Sequence, residues 1–304
     1  KNENIAGIYT ENNFSWNNGN TQLITGLRLD RHNKYGIMFT PRTLFKHNFN
    51  ENTILRASMG TGWRTVNLFS EHPHILGTNK NIFINHDLKP EKALNYGFNL
   101  LQSIYSEDFE IQLMLDVYKT QFLNQIYPDF YTNSFEIFVN NFEGSSTSNS
   151  IQGEIGIELF NVLGIKIGYN YLDIFRIEND EKIRMPFHSK HHFLNTISYR
   201  PLKRKWFIDI NSHWIGKKKL LNTSSYPTEH QRPDMSDPYF IINGQFTYEI
   251  LNTDIYLGCE NILNFTQDDP IISADNPFGR YFDTCNIWGP TKGREFYLGL
   301  RKSF

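Results

Sequence analysis

The feature that most constrains the fold is a two-residue alternation of side-chain character in the last stretch of the sequence. Within residues 295–304, Phe296, Leu298, Leu300 and Phe304 share one parity, and the other parity carries polar or small side chains. A β-strand sends successive side chains to opposite faces, so this stretch has one apolar and one polar face. A strand that separates lipid from water needs this pattern. We therefore predict a strand in the wall of a membrane β-barrel.

The lengths of the connections between strands favour the same fold. In the second half of the chain, short turns alternate strictly with longer loops. Membrane barrels have tight turns on the periplasmic side and long loops outside, whereas soluble sandwiches have no reason to sort connections in this way. The turns are Asn161–Gly164, Pro201–Lys205 and Leu251–Thr253, and the loops are Glu178–Ser189, Lys217–Pro238 and Asn264–Pro290.

Two tryptophans allow a geometric test of the barrel. Trp206 and Trp214 share one face of a predicted strand, and their separation is roughly 27 Å along that strand. At the usual tilt this length spans most of a ~25 Å apolar band, with an aromatic side chain near each boundary. We count about thirteen strands, whereas bacterial barrels close with even numbers. Residues 1–304 are therefore expected to form only part of an all-β, transmembrane antiparallel barrel.

Composition excludes two other classes of protein. No run of 18 apolar residues occurs, so no membrane-spanning helix is expected. The formal net charge of −2 argues against nucleic acid as a partner, because nucleic-acid binding normally requires a clustered basic surface. No export signal follows Lys1, although a barrel must be exported, so the chain is interpreted as a C-terminal fragment. Cys259 and Cys285 could form a disulfide or remain two free thiols.

Several motifs, taken in order, resemble the C-terminal half of a TonB-dependent outer-membrane receptor. This family consists of plugged barrels of 22 strands that import ferric siderophores, haem, cobalamin and other scarce solutes. The resemblance implies that residues 1–304 hold the C-terminal part of the barrel domain, without the plug, the TonB-contacting segment and the first strands. The motifs are Gly60-Thr61-Gly62-Trp63-Arg64, Asn67-Leu68-Phe69 with Glu71, Leu88-Lys89-Pro90-Glu91-Lys92-Ala93, Gly258 through Asn264, and Trp288 to Arg301.

The haem-binding branch of this family is only partly matched. Haem receptors carry an Asn-Pro-Asp-Leu box, where this sequence has Asn85-His86-Asp87-Leu88. They place a ligand histidine between this box and an earlier one, and His72 and His74 lie in that interval here. The earlier box reads Arg-Ala-Pro in some members but Arg64-Thr65-Val66 in this sequence. In the last strand, Lys302 stands where the family often has an aromatic residue. Haem is therefore one candidate ligand beside a siderophore or cobalamin.

The long loops contain the candidate ligand-binding residues. Imidazole suits iron, copper and zinc, and haem needs one axial histidine, so loop histidines are candidates. An aromatic segment could stack on a flat ligand such as a catechol, porphyrin or corrin, or could instead pack against neighbouring loops. A second histidine group, His188, His191 and His192, is interpreted as a basic rim. The candidates are His72, His74, His86, Tyr127, Phe130 and Tyr131.

A second set of candidates faces the interior of the predicted barrel. Charges removed from water need partners, so some of these side chains are expected to bond to loops of a plug. The others would be ordinary wet residues of the lumen. The plug-facing candidates are Arg28, Arg56, Glu110, Asp116, Glu154 and Glu158, with Glu260 on the same parity of a later strand.

These features predict an outer-membrane receptor for TonB-energised import of a scarce solute. The expected partners are outer-membrane lipid, the TonB complex acting through the plug, and an iron chelate, haem or cobalamin as ligand. Neither a glycine-flanked serine nucleophile nor an HExxH motif occurs, so no catalytic residue, bound metal or resident cofactor is assigned. The alternatives are a passive porin-like channel, a barrel enzyme and a soluble all-β binding protein.

Overall fold

The computed structural model describes residues 2–129, 133–142, 144–178 and 180–302. These residues form sixteen strands and very little helix. No helix among them is long and apolar enough to cross a membrane. The helical segments are α1 (Leu68–Glu71) and the 3-10 turns Pro73–Gly77 and Thr228–His230. The strands are β1 (Ile5–Trp16), β2 (Thr21–His32), β3 (Gly36–Asn48), β4 (Thr53–Arg64), β5 (Asn81–Ile84), β6 (Glu91–Tyr105), β7 (Phe109–Asp129), β8 (Glu136–Phe142), β9 (Ser145–Leu159), β10 (Leu163–Glu178), β11 (Glu181–Arg184), β12 (His191–Tyr199), β13 (Trp206–Ile215), β14 (Tyr239–Ile250), β15 (Thr253–Glu260) and β16 (Glu295–Lys302).

Thirteen of these strands form one continuous wall. They pair antiparallel in chain order, from β1 through β4, β6, β7, β9, β10 and β12 to β16. The predicted all-β barrel wall and its strand number are therefore confirmed. The other three strands are short and belong to the loops: β11 pairs with β10, and β8 pairs with β7 and, in parallel, with β5. The described wall does not close on itself, because β1 and β16 each have one strand neighbour.

Apart from the three-residue link 33–35 between β2 and β3, the tight turns occur at one end of the wall. Asn17 and Asn18 both have positive φ angles (53° and 54°), as do the turn residues Phe160 and Asn161 and, two hairpins later, Leu251 and Asn252. Two consecutive residues with positive φ make the turn whose twist matches that of the flanking strands. The longer connections, 65–90, 130–144, 179–190, 216–238 and 261–294, reach the opposite end.

The outward face of the wall carries the two predicted aromatic positions. At the short-turn end, Trp206 lies 5.8 Å from Tyr199 and 6.0 Å from Phe246, measured between ring centroids. At the long-loop end, Trp214 lies 6.5 Å from Phe240. The outward face between them is apolar and exposed, as a lipid-facing surface must be.

The last strand has the predicted parity. Phe296, Leu298 and Leu300 of β16 are all exposed on the outward face. On the inward face, the Tyr297 hydroxyl donates a hydrogen bond of 3.0 Å to Gln245 Oε1, and its ring covers Gly258 so closely that an added Cβ would overlap it. Phe304, part of the predicted apolar face, lies outside the described residues.

Three expectations about local structure need correction. The sequence pattern predicts a loop from Asn124 to Ser134, but this loop begins later, because β7 continues to Asp129 by pairing with β8. The pattern also predicts an irregular stretch from Arg64 to Pro90, but this stretch contains α1, a 3-10 turn and β5. Cys259 and Cys285 are both free thiols, so the disulfide alternative is wrong.

Pro41 lies at a position that tolerates its missing N–H group. It sits inside β3 and pairs with Leu27 of β2. On the other side, the β3–β4 ladder ends one residue away, at Arg42 opposite Gly60. Proline in a sheet is tolerated where a ladder ends, because no hydrogen bond is then lost.

The assignment of β7 side chains to the outward and inward faces can be tested by placing the same side chain, arginine, on each face in turn. Leu115 is outward and exposed, and Met114 is inward. In the full-length protein in lipid, Leu115→Arg is expected to lower the free energy of unfolding by about 2–4 kcal/mol, since arginine near the bilayer midplane is costly. Met114→Arg is the matched control and is expected to cost much less. Equal losses in chemical unfolding would contradict the assignment of the two faces.

Candidate functional site

The long loops pack on one another around an apolar core. Ile75, Ile137, Val139, Leu221 and Cys285 are each at most 3 % exposed. They come from four connections that are far apart in sequence, and we call this group the outer-loop core. The loops therefore form a packed layer over the end of the wall. Burial also raises the pKa of the Cys285 thiol, which keeps it protonated.

A buried ion pair joins the first of these loops to the last. Lys80 Nζ lies 2.8 Å from Asp283 Oδ2, and both side chains are almost completely buried. The other carboxylate oxygen of Asp283 accepts a hydrogen bond of 2.8 Å from the backbone N–H of Cys285. Asp283 also forms an isolated bridge with Thr78. Charges that are buried away from water need both an oppositely charged partner and further hydrogen bonds, and the Asp283 carboxylate has both.

An aromatic group extends the packing of the loops. The ring of Tyr226 stacks on Phe135 at 5.5 Å and meets Tyr281 edge-on at 5.5 Å. Its hydroxyl donates a hydrogen bond of 3.0 Å to the carbonyl oxygen of Ser134, and burial raises its pKa. The guanidinium of Arg280 lies 4.2 Å from the centroid of the Phe135 ring, at cation–π distance.

A second cation, Lys218, is half-buried between the loops of β13–β14 and β15–β16. Lys218 Nζ donates a hydrogen bond of 2.6 Å to the carbonyl oxygen of Trp288 and lies 3.3 Å from the Tyr239 hydroxyl. Burial lowers the pKa of Lys218, because a charged ammonium is harder to accommodate away from water. The loops are thus fixed by polar contacts as well as by the outer-loop core.

Beneath the loops, a cavity of about 380 Å³ brings two predicted candidates together. His72 and Tyr127 both line it, and so does His188. Arg64 and Glu91 close one side, with Arg64 Nε 2.7 Å from Glu91 Oε2. Burial lowers the pKa of His72, which favours the neutral imidazole.

Tyr127 is held by a cation. The guanidinium of Arg176 lies 4.0 Å from the centroid of the Tyr127 ring and 5.4 Å from that of Phe142. Arg176 also pairs with Glu178 at 3.1 Å. Tyr127 is buried at the outer end of β7, so it is a packed residue of the cavity wall, and only its cavity-lining surface remains for a ligand.

The other predicted loop candidates are not assembled around this cavity. His86 is exposed on the turn after β5 and does not line it. His74 lies in the 3-10 turn Pro73–Gly77, and its side chain is outside the description. Phe130 and Tyr131 lie outside the described residues. The sequence predicted a basic rim at His188, and its place in the lining of the cavity depends on loop packing that has no local sequence signal.

Three of the six plug-facing candidates, Arg56, Asp116 and Glu154, are linked to neighbouring strands. Arg56 Nη1 donates a hydrogen bond of 2.9 Å to Asn99 Oδ1, and Asn99 Nδ2 donates one of 3.0 Å to Asp116 Oδ1. Glu154 pairs with Lys166 at 3.0 Å. Each of these contacts joins two side chains that lie on the same face of the wall.

Two lumen carboxylates face each other without an intervening cation. Glu110 of β7 lies directly opposite Glu158 of β9 in the ladder. Neither forms an ion pair with another described residue. Like charges directly opposite each other destabilise a sheet. The two positions therefore place like charges side by side on the inward face of the wall.

A larger lumen cavity is lined with arginine. Its volume is about 670 Å³, and Arg28, Arg42 and Arg64 line it together with Tyr9 and Trp63. Arg28 pairs with Asp30 at 2.9 Å, and Arg42 pairs with Glu11. Among the described residues, no group of three or more His, Cys, Asp or Glu side chains is placed to hold a metal ion. Arg64 pairs with Glu71 and Glu91, so each of the three arginines already has a carboxylate partner.

The wall has an apolar outer face, a polar inner face and packed loops at one end, and this combination defines a membrane β-barrel. We call the packed loops and the cavity lined by His72, Tyr127 and His188 the vestibule. Residues 1–262 match the family described as TonB dependent receptor-like, beta-barrel. The match covers most of the chain, and the chain belongs to this family. The resemblance that the sequence motifs suggested is confirmed.

Solved structures of similar fold are iron-related receptors. A variant of the ferric enterobactin receptor PfeA from Pseudomonas aeruginosa, in complex with enterobactin, is 17% identical with a TM-score of 0.69 and covers 98% of this chain and 45% of its own. The siderophore receptor PirA from the same organism is 14% identical, with a TM-score of 0.63 and coverages of 98% and 46%. The FrpB iron transporter from Neisseria meningitidis is 13% identical, with a TM-score of 0.66 and coverages of 98% and 45%.

These likenesses show the fold of the chain. The chain spans less than half the length of these structures. No curated protein sequence matches it significantly.

The buried ion pair is expected to hold the first and last outer loops together. Lys80→Met leaves Asp283 buried without its cation and is expected to cost about 3–5 kcal/mol. Hydrogen exchange of residues 72–80 and 277–286 measures the loss as faster local opening. The double variant Lys80→Met/Asp283→Leu removes both charges and is expected to recover most of the protection. If Lys80→Met alone left the exchange unchanged, the pair would not hold the loops.

His72 is expected to make the vestibule sensitive to acid. Because its folded-state pKa lies below the ordinary value of 6.5, its contribution to stability is present above pH 6.5 and is lost as the pH falls through the folded-state pKa. Exchange of the 66–77 segment, corrected for the intrinsic rate, should therefore rise between pH 7.5 and 5.5. His72→Gln should flatten this dependence. The exposed His86→Gln should leave it intact, and the opposite ranking would exclude His72 as the cause.

Proposed function

We propose that the chain is the C-terminal part of the barrel of an outer-membrane receptor that imports an iron chelate with energy delivered through TonB. The observation that carries the proposal is the combination of this family's barrel wall with a packed vestibule above an arginine-lined lumen. A passive porin needs an open path through its mouth, whereas here the long loops pack together around their own core. A receptor needs such a surface to capture a dilute solute before transport.

The chemistry of the lumen supports an anionic chelate. Arg28, Arg42 and Arg64 line one cavity, and an arginine fork can donate two parallel hydrogen bonds to carboxylate or catecholate oxygens. Tyr9 and Trp63 supply aromatic surface beside them. Structures similar in fold include a receptor for ferric enterobactin and a siderophore receptor, which favours a siderophore over other chelates.

The lumen carboxylates are proposed to hold a plug. Glu110 and Glu158 face each other across adjacent strands, so a cation from a plug domain would relieve their repulsion. Asp116 and Glu154 already have partners within the wall and would contribute less. TonB would then act on the plug, with this chain as the fixed frame around it.

Binding by the purified full-length protein tests the ligand class. Ferric siderophores, ferric citrate, haem and cobalamin are titrated separately by quenching of tryptophan fluorescence, and uptake is followed in a host with and without TonB. We expect one ferric chelate to bind and to enter only with TonB. Binding of haem with loss of the signal in His72→Ala would instead assign haem, and binding of cobalamin alone would exclude an iron chelate.

Substitution of one lumen arginine tests whether the ligand contacts that side chain or responds only to the overall positive charge of the protein. Arg42→Gln is expected to weaken binding of the ferric chelate by about tenfold or more, because a hydrogen bond from a charged donor is lost. Arg204→Gln, on an exposed turn at the other end of the wall, is the matched control and should bind normally. Equal affinities of the two variants would place recognition elsewhere. Uptake that is independent of TonB would favour the porin-like alternative.

A further inference from the structure

The short turns carry apolar side chains that the fold leaves uncovered. Phe160, Leu202 and Leu251 lie at the tips of three turns and are 61%, 75% and 85% exposed. Turns exposed to water usually carry Gly, Asn or Asp at such positions. The three turns lie beyond the aromatic positions marked by Trp206, at the end of the wall opposite the vestibule.

Two of these turns adopt a backbone conformation that is unfavourable for their residues. Phe160 and Leu251 have φ angles of 53° and 47°, and each is followed by an asparagine with positive φ. The usual first residue of this turn is Asn, Asp or Gly, and a bulky residue with positive φ is an outlier. The same apolar-Asn pair occurs at both turns, so the exposed apolar tip is a repeated feature of this end.

The turn between them is strongly basic. Arg200, Lys203, Arg204 and Lys205 lie within one connection, and all four are exposed. The ion pairs among the described residues include none of them. The guanidinium of Arg200 lies 4.4 Å from the centroid of the Phe207 ring, at cation–π distance. A cluster of unpaired cations at a membrane boundary attracts anionic lipid.

Backbone hydrogen bonds join these turns into one strip. The N–H of Arg200 donates to the carbonyl oxygen of Val162 at 2.7 Å, and that of Glu249 donates to Lys205 at 2.6 Å. Phe160, Leu202 and Leu251 thus project from one connected edge, with the basic turn at its centre. The strip continues directly from the apolar outward face of β9 to β15.

From these placements we propose that the strip of turns at 160–162, 200–205 and 251–252 is an anchor for anionic phospholipid of the adjoining leaflet. The apolar tips enter the boundary between headgroups and acyl chains, and Lys203, Arg204 and Lys205 bind headgroup phosphate. The inference rests on the membrane placement in the proposed function. Burial of the tips in lipid offsets the conformational cost of the two turns, and water does not.

Binding of anionic lipid by the basic turn is tested with the full-length protein in nanodiscs. Discs of phosphatidylcholine with increasing phosphatidylglycerol are compared, and retained phosphatidylglycerol is counted by native mass spectrometry. The triple variant Lys203→Gln/Arg204→Gln/Lys205→Gln is expected to lose affinity for phosphatidylglycerol on the order of 100-fold. The outer-rim variant Lys34→Gln/Arg184→Gln/Lys217→Gln is the matched control and should retain it. Equal retention by both variants would overturn the proposal.

A fluorescent label tests the depth of the tips. Leu251→Cys and, as a control in another short turn, Glu107→Cys are labelled with an environment-sensitive dye in a Cys259→Ser background. Brominated phosphatidylglycerol should quench the label at 251 strongly and the label at 107 weakly. If the label at 251 were quenched only after addition of a periplasmic extract, and not by the brominated lipid alone, the strip would bind a protein and the lipid anchor would be overturned. A protein that fails to enter nanodiscs would instead refute the membrane placement itself.

Discussion

The backbone hydrogen-bond ladder is the constraint on which the rest of this structure depends. In a bilayer every N–H and C=O group must be paired within the protein, which leaves antiparallel strands in chain order as the economical arrangement for a sequence of this period. Once each strand is paired on both sides, side-chain parity decides everything else about the wall. Apolar residues such as Leu115 and Leu298 face outward, and polar residues such as Arg56 and Asp116 meet one another inside.

The apolar core of this chain lies outside the wall. Among the described residues, the most deeply buried apolar side chains, including Ile75, Ile137 and Leu221, belong to loops that close one end. A barrel wall cannot have a core of its own, because one face meets lipid and the other meets the lumen. The loops consequently act as a small folded layer of their own, with Lys80 and Asp283 as its buried polar contact.

The sequence could predict those parts of the structure that depend on the two-residue alternation of side chains along a strand. Alternation located the strands, and the spacing of Trp206 and Trp214 located the two aromatic boundaries, since both depend on neighbours two to eight positions away. The loops were read less well. Lys80 and Asp283 are far apart in sequence and meet only because two loops pack together, and β7 extends to Asp129 only because β8 pairs with it. His72 and His188 both line the cavity beneath the loops, but the sequence singled out only His72 as a candidate ligand residue, because the position of His188 depends on loop packing.

The two ends of the wall treat apolar side chains in opposite ways, and connection length is the reason. The long outer connections can fold over one another and exclude water from Ile75 or Val139. A turn of two or three residues is too short to fold back over its own side chains, so Phe160 and Leu251 cannot be covered by their own protein neighbours. An apolar side chain in that position is stable only if another apolar phase lies beside it, and the nearest one is the bilayer that the outward face already requires. The same alternation that defines the wall therefore also determines what its shortest turns can carry.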